Sequence, residues 1–313
     1  MDFIKRSMSK HDFDVLIIGG SYSGLSAAMA LGRSLRNVLI IDGGLPCNRQ
    51  TPHSHNFITH DGKTPEEIST LAKQQVKKYE TVKFLKGHAI RGTKTETGFQ
   101  VETQAGEIFN TKKLIFATGI KDLMPDIKGF AECWGISVVH CPYCHGYEIK
   151  NEITGILGNG DSAMHLTQLV TNLTRRLRIF TNGKATFTQD ELGQLARHDI
   201  QVIETEIARI EHANGQVHDI IFKDGSSATL KALYARVPFV QHSDIPENLG
   251  CELTEQGFLK TDAMQQSTVP GVFVCGDNTT PMRSVANAVA AGNFAGAAVN
   301  SQLCQEQFYR ITV

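Results

Sequence analysis

The sequence predicts an α/β chain containing two βαβ units, and three observations carry this. An apolar run, Asp14-Val15-Leu16-Ile17-Ile18, breaks at a glycine-rich turn and continues into a helix-periodic stretch. The same succession recurs at Ile153–Leu157, Gly158–Ala163 and Met164–Leu173. Between the two lies Cys141-Pro142-Tyr143-Cys144, flanked by His140 and His145. The 313 residues suffice for about two domains. With 41% hydrophobic and 20% charged residues the composition is that of an ordinary globular protein. The formal net charge of -1 gives no electrostatic case for nucleic acid or an acidic membrane surface. No apolar run approaches the roughly 20 residues that a membrane helix needs.

In the first unit the strand ends at Gly19-Gly20-Ser21-Tyr22-Ser23-Gly24, and Leu25, Ala28, Met29 and Leu31 give the helix its apolar positions. A second strand, Val38–Ile41, ends at Asp42. A continuous apolar run suits a parallel strand buried on both faces. A glycine turn at a helix start lets a pyrophosphate lie against backbone N–H groups and the positive helix end. An acid at the end of the second strand accepts hydrogen bonds from ribose hydroxyls. The middle glycine of the usual pattern is Ser21, so the motif rests on its context; a ligand-free βα turn is the competing reading.

A polar loop, Pro46–Phe57, follows, and Thr64-Pro65-Glu66-Glu67 reads as a capped helix start running to about Tyr79. Val82–Leu85 reads as a strand, Phe99–Thr103 and Glu107–Asn110 as a hairpin, and Leu114–Phe116 as a further strand ending at Ala117-Thr118-Gly119. In the second unit Leu177–Phe180 is the strand after the helix. Thr181-Asn182-Gly183 then stands where a basic cluster would meet an NADP phosphate or an acid would hold an NAD ribose. Arg175 and Arg176 precede the strand and read as solvated helix-end residues. Asp190–Arg197 reads as a helix, and Ile207–Ile210 with Val217–Phe222 as paired strands before the turn Asp224-Gly225. Near the C-terminus, strand Val272–Cys275 stops at Gly276-Asp277-Asn278, and a small-residue helix spans Val285–Leu303. Asp277 suits either a ribityl or pyrophosphate contact or a turn cap. Phe308 and Tyr309 read as tail packing in preference to a cover over a ligand.

Cys141 and Cys144 stand at a spacing that closes a small disulfide, and Pro142 stiffens the turn. Cys-x-x-Cys-His is also a haem-attachment string, and cysteine with histidine is a zinc donor set. A turn with two buried thiols is the bland alternative. Haem attachment calls for an export signal, and Met1–His11 is polar and charged. Zinc calls for a second tight ligand pair, and Cys47, Cys133, Cys251, Cys275 and Cys304 stand alone. Seven scattered cysteines fit a reducing cytoplasm rather than a secreted disulfide framework.

These features together resemble the low-molecular-weight thioredoxin reductase-like FAD-dependent pyridine nucleotide-disulfide oxidoreductases. The resemblance covers nearly the whole chain and rests on Gly19–Gly24 with Asp42, Ala117-Thr118-Gly119, Cys141–Cys144, Gly158–Ala163 and Cys275-Gly276-Asp277. The block Cys141–Glu148 and the loop Asn48-Arg49…His53-Ser54-His55-Asn56-Phe57…His60-Asp61-Gly62 look closer to a subgroup that includes the dithiol oxidases of gliotoxin and holomycin biosynthesis. The resemblance implies two Rossmann-like nucleotide-binding domains of three-layer ββα type, the second inserted in the first. The FAD-binding domain would comprise residues 1–117 and 243–313. An NAD(P)H-binding-like domain, 118–242, would carry the Cys pair, and the protein would be a homodimer with one FAD per subunit. FAD would meet Gly19, Gly20, Ser21, Tyr22, Ser23, Gly24, Asp42, Gly43, Asn48, Arg49, His55, Asn56, Ala89, Ala117, Thr118, Gly119, Asp277, Val285 and Ala286. NADPH or NADH would meet Gly158, Gly160, Asp161 and Ser162. Cys144 would exchange electrons with the flavin, and Cys141 would meet a thioredoxin-like protein or a small disulfide or dithiol. No metal is expected.

Two departures bear on the electron donor. The family's basic NADPH motif is missing at Thr181–Thr186, and Val285-Ala286 replace an Arg-Gln pair beside the flavin. The usual Asp after the second cysteine is His145. An imidazole there can act as acid and base near neutral pH, with His140 as competitor and turn-capping as the bland role for either. The expected function is thiol–disulfide exchange between FAD and a substrate through Cys141-Cys144. Weakened NAD(P)H use, another reductant such as a reduced ferredoxin or flavin, and reversed flow from a dithiol to oxygen remain open as electron routes. A non-catalytic flavin-binding redox sensor is the reading from another class.

Overall fold

A computed structural model describes residues 11–309 of the chain. The polar stretch Met1–Lys10, the basis for expecting no export signal, lies outside the described residues. By its contacts the chain divides into two compact units. The first runs through Cys47, from Glu66 to Lys121 and from Val240 onward; the second comprises Asn48–Pro65 and Asp122–Phe239. Two of the four chain crossings, after Lys121 and after Phe239, fall within short strands, Ile120–Asp122 and Phe239–Gln241, that pair with each other.

The first unit is built on a sheet ordered Val82–Lys86, Val38–Asp42, Asp12–Ile18, Ile108–Phe116, Gly98–Thr103, Ala89–Thr95, with Val272–Val274 also paired to Ile108–Phe116. The first four strands and Val272–Val274 run parallel; the last two close an antiparallel extension. The apolar strands read as continuous runs because each face has its own core. Val15, Ile17, Val38, Ile40 and Ile115 pack under the helices, while Leu16, Ile18, Leu39, Ile41 and Leu114 pack on the opposite face. Helix Tyr22–Arg33 lies against helix Val285–Tyr309 at close range. A Cβ on Gly292 would come within 2.0 Å of the Ser23 carbonyl oxygen, and one on Gly296 within 2.7 Å of that of Ala27.

Two elements expected separately are one. Glu107–Asn110 and Leu114–Phe116 belong to a single strand, Ile108–Phe116, whose first half pairs with the hairpin and whose second half lies between Asp12–Ile18 and Val272–Val274. The polar stretch Asn110-Thr111-Lys112 masked that continuity, because side chains change surroundings where the strand passes from hairpin to core.

The second unit has a five-stranded parallel sheet in the order Gln201–Ile203, Leu177–Phe180, Thr154–Leu157, Ala232–Ala235, Val138–Val139. Helices Gly160–Val170 and Gln189–Arg197 cover one face through Ala163, Leu166, Val170 and Leu195. The antiparallel layer Ile207–Ala213, Gln216–Phe222 and Ser227–Thr229 covers the other through Ile210, Val217, Ile220 and Phe222. This is a three-layer ββα arrangement. Helix Gln189–Arg197 starts in a capping box between Thr188 and Glu191. Phe308 and Tyr309, expected to pack as a tail, are 74% and 76% exposed on the last turn of the final helix and contact each other edge to face. They extend that helix beyond Leu303, the last of its residues in the core.

Candidate active site

The first glycine turn is shaped by close backbone approach. Gly19 has φ +104°, and a Cβ there would lie 2.2 Å from the Ala117 carbonyl oxygen. A Cβ on Gly24 would lie 1.9 Å from the Gly19 oxygen. Ser21 stands at the N-cap of the following helix without a side-chain hydrogen bond to it, so no serine oxygen competes for the helix N-terminus. Asp42 accepts hydrogen bonds from Gly20 N (3.1 Å) and Gly44 N (3.2 Å) and lies 3.6 Å from Lys73 Nζ. Across the same strand ends, Asp277 Oδ2 lies 3.7 Å from Arg283 Nε and accepts from Cys47 Sγ at 3.6 Å.

The second glycine turn is closed on itself. Gly160 has φ +52°, and the Asn159 side-chain oxygen accepts from Gly160 N (3.0 Å), Thr186 N (2.8 Å) and Thr186 Oγ1 (3.0 Å). Asn159 Nδ2 donates to the Lys184 carbonyl at 2.9 Å, and Ala185 N donates to Glu204. A side-chain carbonyl thus caps the first N–H of the helix, and the Asn159 side chain holds Lys184 and Thr186 beside it.

Cys141 and Cys144 lie on either side of Pro142 at the short helix Pro142–His145. Their sulfurs are 2.6 Å apart, and Cys144 N donates to Cys141 Sγ at 3.2 Å. The two sulfurs are near enough to be joined as a disulfide. Burial pushes Cys133 up to about 11 and Cys275 up to about 12, and raises Cys251 as well, so these thiols stay protonated and inert.

His145 follows the pair. Burial lowers its pKa to about 4; the Glu148 charge opposes this and His55 adds to it. Glu148 Oε1 lies 3.6 Å from His55 Nδ1, which is also 3.7 Å from Asp61 Oδ1. Burial disfavours the imidazolium that a thiol proton would form on this ring, and the neighbouring carboxylate offsets part of that cost. His140 is placed differently, its ring stacked 5.9 Å from that of Trp134. Among the described residues no group of three or more His, Cys, Asp or Glu could hold a metal ion.

Against this geometry the comparisons agree. The profile of the pyridine nucleotide-disulphide oxidoreductases matches residues 13–292. The chain is a member of that family. A protein named thioredoxin reductase tcpT, from Claviceps purpurea, is 34% identical over 304 residues, covering 93% of this chain and 94% of its own. Thioredoxin reductase sirT of Leptosphaeria maculans is 32% identical over 312 residues, with 93% and 94% covered. The solved structure of an oxidoreductase from Agrobacterium tumefaciens superposes with a TM-score of 0.88 at 37% identity, covering 94% of this chain and 99% of that one. The chain is therefore an FAD-dependent thiol–disulfide oxidoreductase with two Rossmann-like domains.

The first unit's residues fit FAD. The glycine turn has no room for side chains, and its helix start is not capped by Ser21. Asn278, fully buried, keeps its Oδ1 without a hydrogen-bond partner among the described residues, while its Nδ2 donates to the Phe116 carbonyl and Thr118. Gly19–Gly24, Asp42, Gly43, Ala89, Ala117–Gly119, Asp277, Val285 and Ala286 all belong to this unit. Asn48, Arg49, His55 and Asn56, expected with them, belong by contact to the unit of the Cys pair. There the loop folds on itself through Ser54 N to the Lys63 oxygen and Asn56 N to Asp61.

Sequence reasoning missed Glu148, Asn159 as a cap, and Arg283. Glu148 was readable as the third residue after His145 on a turning segment. Arg283 was legible as a nearby guanidinium where the expected Arg-Gln pair is missing.

Because burial keeps His145 neutral, it links folding to pH. The unfolded chain takes up this proton as pH falls through 6.5, and the folded chain only near about 4. The group's contribution to stability is intact above the first value and is lost between the two. His145→Gln should therefore show a smaller fall in Tm than the parent when both are melted at about pH 7 and about pH 4.5. An equal fall would show that the imidazole is not held neutral.

Proposed function

We propose that the chain oxidises dithiols, with electrons entering through Cys141-Cys144 and leaving to oxygen. One contrast carries the reading. The helix start in the first unit lacks a side-chain cap, whereas Asn159 caps the second and Thr186 lies against it. A pyrophosphate would have to displace those hydrogen bonds and would find no arginine in Thr181–Thr186. The first unit would then be the FAD-binding domain and the second a nucleotide-type domain used to carry the Cys pair.

In this scheme a substrate thiolate attacks Cys141 Sγ, and the Cys141–Cys144 bond breaks with Cys144 leaving as thiolate. The second substrate thiol loses its proton to a ring nitrogen of His145, beside the Glu148 carboxylate. Its thiolate attacks the substrate sulfur of the mixed disulfide and releases Cys141 as thiolate. The products are a substrate disulfide and a reduced enzyme pair. FAD, when bound, supplies the two-electron acceptor that restores the enzyme disulfide, and oxygen taking two electrons and two protons balances the turnover as hydrogen peroxide. Tyr143 and Tyr147, 69% and 71% exposed beside the pair, offer flat surface to a small dithiol, with a thioredoxin-like protein as the competing partner.

The retained glycine turn and the relatives' names favour a second reading, a reductase fed by NADPH or NADH. Anaerobic addition of each donor to the flavin-loaded protein separates the two. A small dithiol should bleach the flavin's visible band, and air should restore it; NADPH and NADH should leave it unchanged. Rapid bleaching by either nucleotide would overturn the oxidase reading.

The protein is proposed to be a homodimer. On the final helix, Ala286, Ala290, Phe294 and Ala297 form an exposed apolar strip in the first unit. A second copy would cover it. Phe294→Glu should sediment as one chain where the parent sediments as two; an unchanged pair would place the interface elsewhere. No helix among the described residues is long and apolar enough to cross a membrane. A cytoplasmic location is proposed on the scattered cysteines.

A further inference from the structure

Tyr234 is the buried polar group that the scheme above leaves unused. It lies on strand Ala232–Ala235, opposite Val139 on one neighbouring strand and Ile156 on the other. The residue is 0% exposed and packs among Val139, Ile156, Leu166 and Val170. Phenylalanine would fill that apolar space as well. The hydroxyl nevertheless has no hydrogen-bond partner among the described residues. A buried hydroxyl without a partner costs free energy, so its retention calls for a partner in another state of the protein.

The surroundings indicate which state. The hydroxyl lies against the segment that carries the Cys pair: a Cβ on Gly146, two residues after Cys144, would come within 3.1 Å of it. The titratable groups that bear on it are Cys141, Glu148 and Cys144, all from the segment carrying the pair, while the neighbouring strands and helix present apolar side chains. Burial, then the charges of Cys141, Glu148 and Cys144, push the phenol far above its ordinary range. It therefore stays protonated and able to donate next to a nascent anion.

We infer that the Tyr234 hydroxyl is a hydrogen-bond donor to Cys141 Sγ when that sulfur is a thiolate. It would act as a positioning residue, stabilising the sulfur released as substrate departs and so setting how readily Cys141 leaves. This rests on the reading of Cys141 as the substrate-side sulfur.

The test uses the flavin-loaded full chain bearing Cys144→Ser, with and without Tyr234→Phe. Iodoacetamide is reacted across a pH series, and the Cys141 peptide is quantified by mass spectrometry. Loss of the donor should move the alkylation profile of Cys141 to higher pH by about one unit and slow its alkylation on the acid side by about tenfold. 3-Fluorotyrosine at the position, a stronger donor, should move the profile to lower pH and provides the measurement if the phenylalanine variant folds poorly. An unmoved profile in a folded variant would overturn the inference and show the hydroxyl to be satisfied otherwise, for example by water. The readout needs no turnover, so it stands apart from the direction of electron flow. Dithiol oxidation with an unmoved profile defeats only the role of Tyr234; a moved profile without dithiol oxidation defeats only the oxidase reading.

Discussion

Replacing Cys141 or Cys144 by serine should lower thiol–disulfide turnover by about three orders of magnitude or more, with the fold and the flavin content retained. Both positions are half-buried, and serine fits either without a change in backbone. The two variants should differ in what they trap. Cys144→Ser keeps the substrate-side sulfur and should accumulate a mixed disulfide with an activated disulfide probe. Cys141→Ser should form none at that site. The other buried thiols cannot substitute, because burial holds Cys133, Cys251 and Cys275 protonated. Turnover measured beside intact mass after incubation with the probe checks both points. Retained turnover in either variant would remove the Cys pair from the reaction.

Gly19→Ala should be the most damaging small substitution in the first unit. The φ of +104° and an oxygen 2.2 Å from the new Cβ add backbone strain to overpacking, with a stability loss of roughly 3 kcal/mol or more. Ala117 directly follows strand Ile108–Phe116 and its N–H donates to the Ile18 carbonyl, which limits how far its own carbonyl can retreat. Flavin content of the purified protein should fall with stability, since the displaced turn is the one proposed to hold the pyrophosphate. Gly158→Ala is the control: its Cβ would meet Ala163 at an ordinary 3.5 Å, and the change should cost less than about 1 kcal/mol. Denaturant unfolding and the flavin-to-protein absorbance ratio test the pair. Equal losses in the two variants would show that the close approach at Gly19 is not decisive.

Much of the fold was legible in the chain because its parallel strands are buried on both faces. Val15-Leu16-Ile17-Ile18 alternates between two cores and so reads as one apolar run. The glycine turns and the Cys pair were legible because their chemistry requires particular residues close together in sequence. The residues around the pair were harder to see. Asn48–Pro65 is polar apart from Phe57, Ile58 and its prolines and carries no periodicity that assigns it to either unit; its companions follow from tertiary contact. Tyr234 lies 90 residues beyond Cys144 in a strand where an aromatic looks like ordinary core, and only the sheet register sets it opposite Val139, two residues before Cys141. Asn159 sits within a glycine pattern that reads as open, and only its bonds to Thr186 and Lys184 show the turn closed.

The closed turn at Asn159 also bears on metabolism. The proposed oxidase, drawing its electrons from the thiol it converts, would make no demand on cellular NADPH. Its flux would follow thiol and oxygen supply and remain indifferent to the ratio of reduced to oxidised nucleotide. A cell could then form a disulfide during reductive stress or starvation without depleting the reductant that its other pathways share.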